Sequence, residues 1–130
     1  MSAARQALGA LGERVAERWL VARGWTVLER RFRSGHRDVD LVVARRVAGQ
    51  RSRLVAFVEV KTRAGDGFGG PVSAVGWRKR RELGRSAWVW MDRHGERGDE
   101  YRFDVVGVLL VGRRARVAHV ENAFHLGGLP

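Results

Sequence analysis

A chain of 130 residues has room for one compact domain and little more, and 45% hydrophobic residues suffice for its core. Lysine and arginine outnumber the acids 25 to 14, giving a net charge of +11, which points to a polyanionic partner and away from an acidic disordered tail. Cysteine is absent, which excludes disulfide scaffolds and thiolate zinc sites.

The apolar positions Leu8, Leu11, Val15 and Trp19 recur on one helical face and predict a helix over 4–23, closed by Gly24. The start, Met1 to Arg5, carries no signal-peptide apolar region. A short strand is expected over 25–29, then a basic connection over 30–37 turning at Ser34-Gly35. Strands follow over 38–46 and 54–63, separated by a turn at 49–52. The second opens on a nearly continuous apolar run, as a strand covered on both faces does. A glycine-rich loop over 64–71 reads as a flap or a plain connection. It lacks the Gly-Lys-Ser/Thr of a phosphate-binding P-loop. A second helix is expected over 72–92, then strands over 101–111 and 116–120 around Gly112-Arg113-Arg114, and a tail over 125–130.

The order is thus α-β-β-β-α-β-β. It predicts an α/β fold, with a central mixed β-sheet of about five strands flanked by two helices. One domain over 1–124 and a flexible tail over 125–130 are expected. The longest apolar run, 105–111, is far short of the ~20 residues a membrane span needs. A soluble cytoplasmic domain without membrane contact is the expectation.

Glu59 and Lys61 share one face of a strand whose other residues are largely apolar. A buried carboxylate and ammonium are costly unless paired or bound to a metal. Asp38 and Asp40 share a face of the preceding strand, where Asp is disfavoured. If the two strands are antiparallel neighbours, Asp40 and Glu59 converge on one hard cation, and the Val60 carbonyl adds a ligand. Oxygen ligands with retained waters suit Mg²⁺. Lys61 would then act on a water and on charge building at a phosphate.

Lysine is rare, since 23 of the 25 basic residues are arginine, so Lys61 and Lys79 stand out. Lys79 lies beside Arg78, Arg80 and Arg81 in the second helix, and Arg63 precedes the glycine loop. All five are candidates for phosphate contact, against the plainer reading of a solvated face. Trp77 is a candidate to stack on an unpaired base. Arg102 and Asp104 read as a structural ion pair, and His119 as a packed or capping residue.

The segments Gly12-Glu13, Asp38-Val39-Asp40-Leu41, Phe57-Val58-Glu59-Val60-Lys61-Thr62-Arg63, Phe68-Gly69 with Pro71 and Lys79, Arg102-Phe103-Asp104 and Asn122-Ala123-Phe124 together resemble the YraN-type family of small bacterial proteins. The likeness spans about 9–124. That family is similar to a branch of the PD-(D/E)xK, restriction-endonuclease-like nucleases. The resemblance implies a catalytic signature of Asp40, Glu59 and Lys61, with Glu13 as a further acid at the metal. One departure is Arg37-Asp38 where the family has Gly-Glu, so the shorter Asp38 stands second. The implied activity is Mg²⁺- or Mn²⁺-dependent endonucleolytic hydrolysis of nucleic acid, with DNA favoured over RNA. The fold is also similar to Holliday-junction resolvases and tRNA-splicing endonucleases, which adds branched or single-stranded DNA as a substrate by analogy. The alternative is a non-catalytic nucleic-acid-binding accessory protein in DNA repair, recombination or uptake. A homodimer is left open.

Overall fold

The computed structural model describes residues 2–65 and 75–125. The elements are α1 (Ala3–Ala22), β1 (Thr26–Phe32), β2 (Val39–Arg46), β3 (Arg53–Ala64), α2 (Trp77–His94), β4 (Glu100–Val111) and β5 (Arg114–Phe124). Most of the glycine loop, with its expected role as a flap, and the tail beyond 125 lie outside the described residues.

Ser2 caps α1, its Oγ accepting from the Arg5 N–H at 3.2 Å. Gly24, at φ +95°, ends it. The N–H groups of Gly24 and Trp25 donate back to the Val21 and Leu20 carbonyls at 3.1 and 3.2 Å. This left-handed closure is one glycine makes without strain. The strands form one sheet in the order β1-β2-β3-β4-β5. Neighbours are antiparallel except β3 and β4, which are parallel with α2 in the crossover.

Each sheet face carries one core. Val42, Val55, Phe57, Phe103 and Val105 meet Leu83, Ala87 and Trp90 of α2. Leu41, Val43, Ala56, Val58, Val106 and Val108 meet Ala16 and Leu20 of α1. On β3, Val55 to Val58 are wholly inaccessible. Both faces of this strand are covered, which accounts for its unbroken apolar run. α1 lies tight on β3 at Gly12, where an added Cβ would sit 1.8 Å from Thr62 Oγ1. No helix among the described residues is long and apolar enough to cross a membrane.

Three boundaries differ from the sequence expectation by three residues or more. β1 continues through Arg30 and Phe32, which pair with Leu41 and Val39. The register shifts between Val27 and Glu29, and Arg31 adopts φ +47°. This irregular, charged edge strand hides its own pattern. α2 begins at Trp77, because Gly76 is extended, at φ −60° and ψ 152°, and is the cap residue; 72–74 of the expected helix lie outside the described residues. β5 extends to Phe124, which stacks on Phe103 at a ring separation of 4.5 Å.

Candidate active site

Leu41 pairs with Val58 across β2 and β3. One further step of that antiparallel register sets Asp40 opposite Glu59. By alternation both side chains, and Lys61, fall on the α2 face. The Val60 N–H donates to Asp40 Oδ2 at 2.8 Å. Glu59 is buried at 6% exposure, and Lys79 Nζ of α2 approaches its Oε2 to 2.7 Å as an ion pair without hydrogen-bond alignment.

Two carboxyls this close cannot both ionise freely. Burial first, then the hydrogen bond and charge of Glu59, push the Asp40 carboxyl up to about 8; the Val60 N–H works against this, and the Glu13 charge adds to it. The Asp40 carboxyl therefore keeps its proton near neutrality. The Lys61 ammonium is pulled below its ordinary range by burial, then by the nearby charges of Lys79 and Arg63, with Glu59 opposing. Perturbed groups of both signs on one sheet face are a feature that reactive sites share with structural ion-pair networks.

The pair sits where two clefts meet. On the α2 side a cleft of about 730 Å³ is lined by His36, Arg37, Asp38, Asp40, Glu59, Lys79, Glu82 and Arg85. On the α1 side one of about 580 Å³ is lined by Asp40, Glu59, Val60, Glu13, Arg5, Leu8, Gly9, Thr62, Arg63 and Ala64. The loop before β2 is fastened to α2. Buried Ser86 donates to the Arg37 carbonyl and accepts from Ser34 Oγ at 3.1 Å, and Arg37 pairs with Glu82 at 2.7 Å.

The structure thus brings Asp40, Glu59 and Lys79 together, with Lys61 on the same strand face as Glu59. Glu13 shares the α1-side cleft, held there by the close seat of Gly12. Its carboxylate pairs with Arg31 at 3.3 Å. Asp38 lines the α2-side cleft, paired with Arg33 at 3.5 Å. Arg63 borders the α1-side cleft, its Nη1 donating to the Thr62 carbonyl at 2.9 Å. Arg80 Nε donates to the Val75 carbonyl at 2.6 Å. Arg78 and Arg81 are exposed, each 5.9 Å from the Trp77 ring. Sequence reasoning missed Arg5, His36, Arg37, Glu82 and Arg85 as cleft residues. Helical spacing from Lys79 could have found Glu82 and Arg85.

Among the described residues no three His, Cys, Asp or Glu side chains converge to hold a metal. The donors brought together are the Asp40 and Glu59 carboxyls. This set suits Mg²⁺, which binds through one or two carboxylates, several waters and substrate phosphate oxygens. It does not suit a closed all-protein cage.

A second ionic cluster lies elsewhere. Asp104 of β4 is wholly buried. Arg102 Nε reaches its Oδ1 at 2.9 Å, His119 Nε2 its Oδ2 at 2.7 Å, and the Asn122 N–H donates to its Oδ1 at 3.0 Å. The His119 ring stands edge-on to Trp19 at 5.6 Å. The ion pair and packed histidine expected from sequence are both present here.

A UPF0102 protein of Trichlorobacter lovleyi is 41% identical over 122 residues, 93% of this chain and 92% of the relative. One of Beutenbergia cavernae is 43% identical over 126 residues, covering 97% and 98%. One of Myxococcus xanthus is 36% identical over 125 residues, covering 96% and 94%. The family model described as uncharacterised protein family UPF0102 matches residues 12–108, the stretch that carries Glu13, Asp40, Glu59, Lys61 and Lys79. On these matches, the chain belongs to the UPF0102 family.

Proposed function

We propose that this protein is a Mg²⁺- or Mn²⁺-dependent nuclease that hydrolyses phosphodiester bonds of DNA. The observation that carries this reading is the Asp40–Glu59 carboxyl pair across an antiparallel register, with Lys61 two residues along the same face. Asp40, Glu59 and the Val60 carbonyl would hold the cation, with Glu13 as a further acid from the α1 side. A divalent cation supplies charge neutralisation at the scissile phosphate and a lowered pKa for a bound water. Lys61, its ammonium destabilised by its surroundings, orients the attacking water and stabilises charge as it builds on the phosphate. Arg37, Arg85 and Lys79 in one cleft, and Arg5 and Arg63 in the other, flank the carboxyls with cations for the neighbouring phosphates.

The test is cleavage by wild type and Lys61→Ala of labelled duplex, single-stranded, flap, junction and RNA substrates, each with EDTA, Mg²⁺ or Mn²⁺. Metal-dependent cleavage by wild type, lowered ~10²–10³-fold in the variant, is expected. Equal rates for the two proteins would sink the mechanism. The +11 charge favours one other reading, an accessory nucleic-acid-binding protein without catalysis. It would bind with a steep salt dependence and leave every substrate intact.

A further inference from the structure

α2 carries three different faces. Leu83, Ala87 and Trp90 turn into the core. Lys79 and Glu82 line the α2-side cleft. A third stripe follows Trp77, Arg81, Arg85 and Trp88, at steps of four, four and three along the helix. Trp77 is 65% exposed and Trp88 48% exposed. Two large rings left in water on one helix, with two guanidinium groups between them, are not required by the core beneath. Arg85 joins the stripe to the cleft that holds Asp40 and Glu59.

We infer that this stripe is the binding platform for unpaired nucleic acid beside the candidate active site. The bases of a single strand stack on Trp77 and Trp88, while Arg81 and Arg85 meet its phosphates. Base faces are available in a single strand and covered by neighbours in a duplex. Stacking on aromatic rings with flanking cations is therefore a single-strand mode. The two rings are separated by a helical rise of ~16 Å, the span of a short run of nucleotides. Charge complementarity selects this occupant over a second copy of the chain. A two-fold contact through the stripe would set Arg81 and Arg85 against their own counterparts. The inference deepens the proposed nuclease function and rests on it for the strand's destination, the cleft. Binding itself requires no catalysis.

The experiment uses the full chain carrying Lys61→Ala, in EDTA, so that binding is read without cleavage. A fluorescein-labelled oligothymidine, a blunt duplex and heparin are titrated against this protein and against forms that also carry Trp77→Ala, Trp88→Ala, Trp77→Phe or the Arg81→Ala/Arg85→Ala pair. Oligothymidine should bind more tightly than duplex. Each Trp→Ala should weaken oligothymidine binding roughly tenfold, with Trp77→Phe restoring most of it. Removing both arginines should reduce the salt slope by about 1.4. Three results would overturn the inference. One is unchanged oligothymidine affinity in both Trp→Ala forms. Another is an equal loss for heparin, which has charge and no bases. The third is sedimentation showing a dimer that Trp77→Ala or Trp88→Ala dissolves. Cleavage by wild type alongside unchanged binding by the Trp→Ala forms would break the platform and leave the nuclease standing. The tenfold losses without cleavage of any substrate would do the reverse.

Discussion

Asp40 and Asp104 are both buried aspartates on central strands of one sheet, and their surroundings drive them in opposite directions. Burial raises the pKa of each. At Asp104 that effect is outweighed by hydrogen bonds from His119 and the Asn122 N–H and by the charge of Arg102, and the carboxyl falls below its ordinary range. At Asp40 the nearest strong partner is another carboxylate, and the carboxyl rises to about 8. Burial alone therefore does not mark a reactive group. The sign of the partner does. Asp104 is an ion completed by the fold. Asp40 faces the like charge of Glu59, which is itself paired with Lys79 at 2.7 Å.

The largest expected effect comes from breaking the completed centre. Asp104→Ala would leave Arg102 and His119, at 15% and 8% side-chain exposure, without their shared anion. A loss of ~3–5 kcal/mol is expected in urea unfolding. Asp40→Asn should do the opposite. It removes the like-charge contact while keeping the acceptor for the Val60 N–H, so in EDTA at pH 8 the variant should be ~1–3 kcal/mol more stable than wild type. A destabilised Asp40→Asn protein would mean that the pair is held by contacts as complete as those of Asp104.

The comparison sharpens with pH. Asp40 binds its proton more tightly folded than unfolded. Its contribution is therefore present below the ordinary carboxylate pKa and fades as pH rises toward 8, by at most ~1.4 kcal/mol per pH unit. Asp104 has a depressed folded pKa. Its contribution is present above the ordinary carboxylate pKa and is lost as pH falls below it. Unfolding free energies measured in EDTA from pH 3 to 9 should thus show two limbs. Asp40→Asn should flatten the alkaline one, and Asp104→Asn the acid one. Mg²⁺ should raise the stability of wild type on the alkaline limb and leave Asp40→Asn unchanged.

Much of this was legible in the sequence because strands alternate. Asp40 in one strand and an acid-x-Lys in the next stand out because such charges are disfavoured there; Asp38, expected to share the strand, instead precedes β2, which begins at Val39. The meeting of Asp40 and Glu59 needed only the antiparallel pairing that Leu41 and Val58 make. The Arg102–Asp104 pair was legible for the same reason. His119 and Asn122 were not legible as its partners, because the β4–β5 register shifts between Phe103 and Val105, and no period in the sequence encodes that shift. Nor was the 2.7 Å approach of Lys79 to Glu59. Its own helix gave Lys79 the look of a member of an arginine-rich solvated face. Only the seating of α2 over β3, through Leu83, Ala87 and Trp90, turns that residue inward. Phe32 was lost in a run of arginines, although it is the apolar anchor of the edge strand.

The smallest expected effect tests Lys79 as a stand-in cation. Its ion pair with Glu59 is half-exposed on the lysine side, at 37%. Lys79→Met should therefore cost only ~1 kcal/mol in EDTA. An ammonium 2.7 Å from Glu59 Oε2 also competes with a divalent cation for that oxygen. Removing it should strengthen Mg²⁺ binding severalfold, seen as a larger rise in Tm per increment of Mg²⁺ than in wild type. A residue that served only to neutralise the carboxyls for folding would show the stability loss in EDTA with the same Mg²⁺ dependence as wild type. The two measurements together thus separate competition at the carboxylate from simple charge balance.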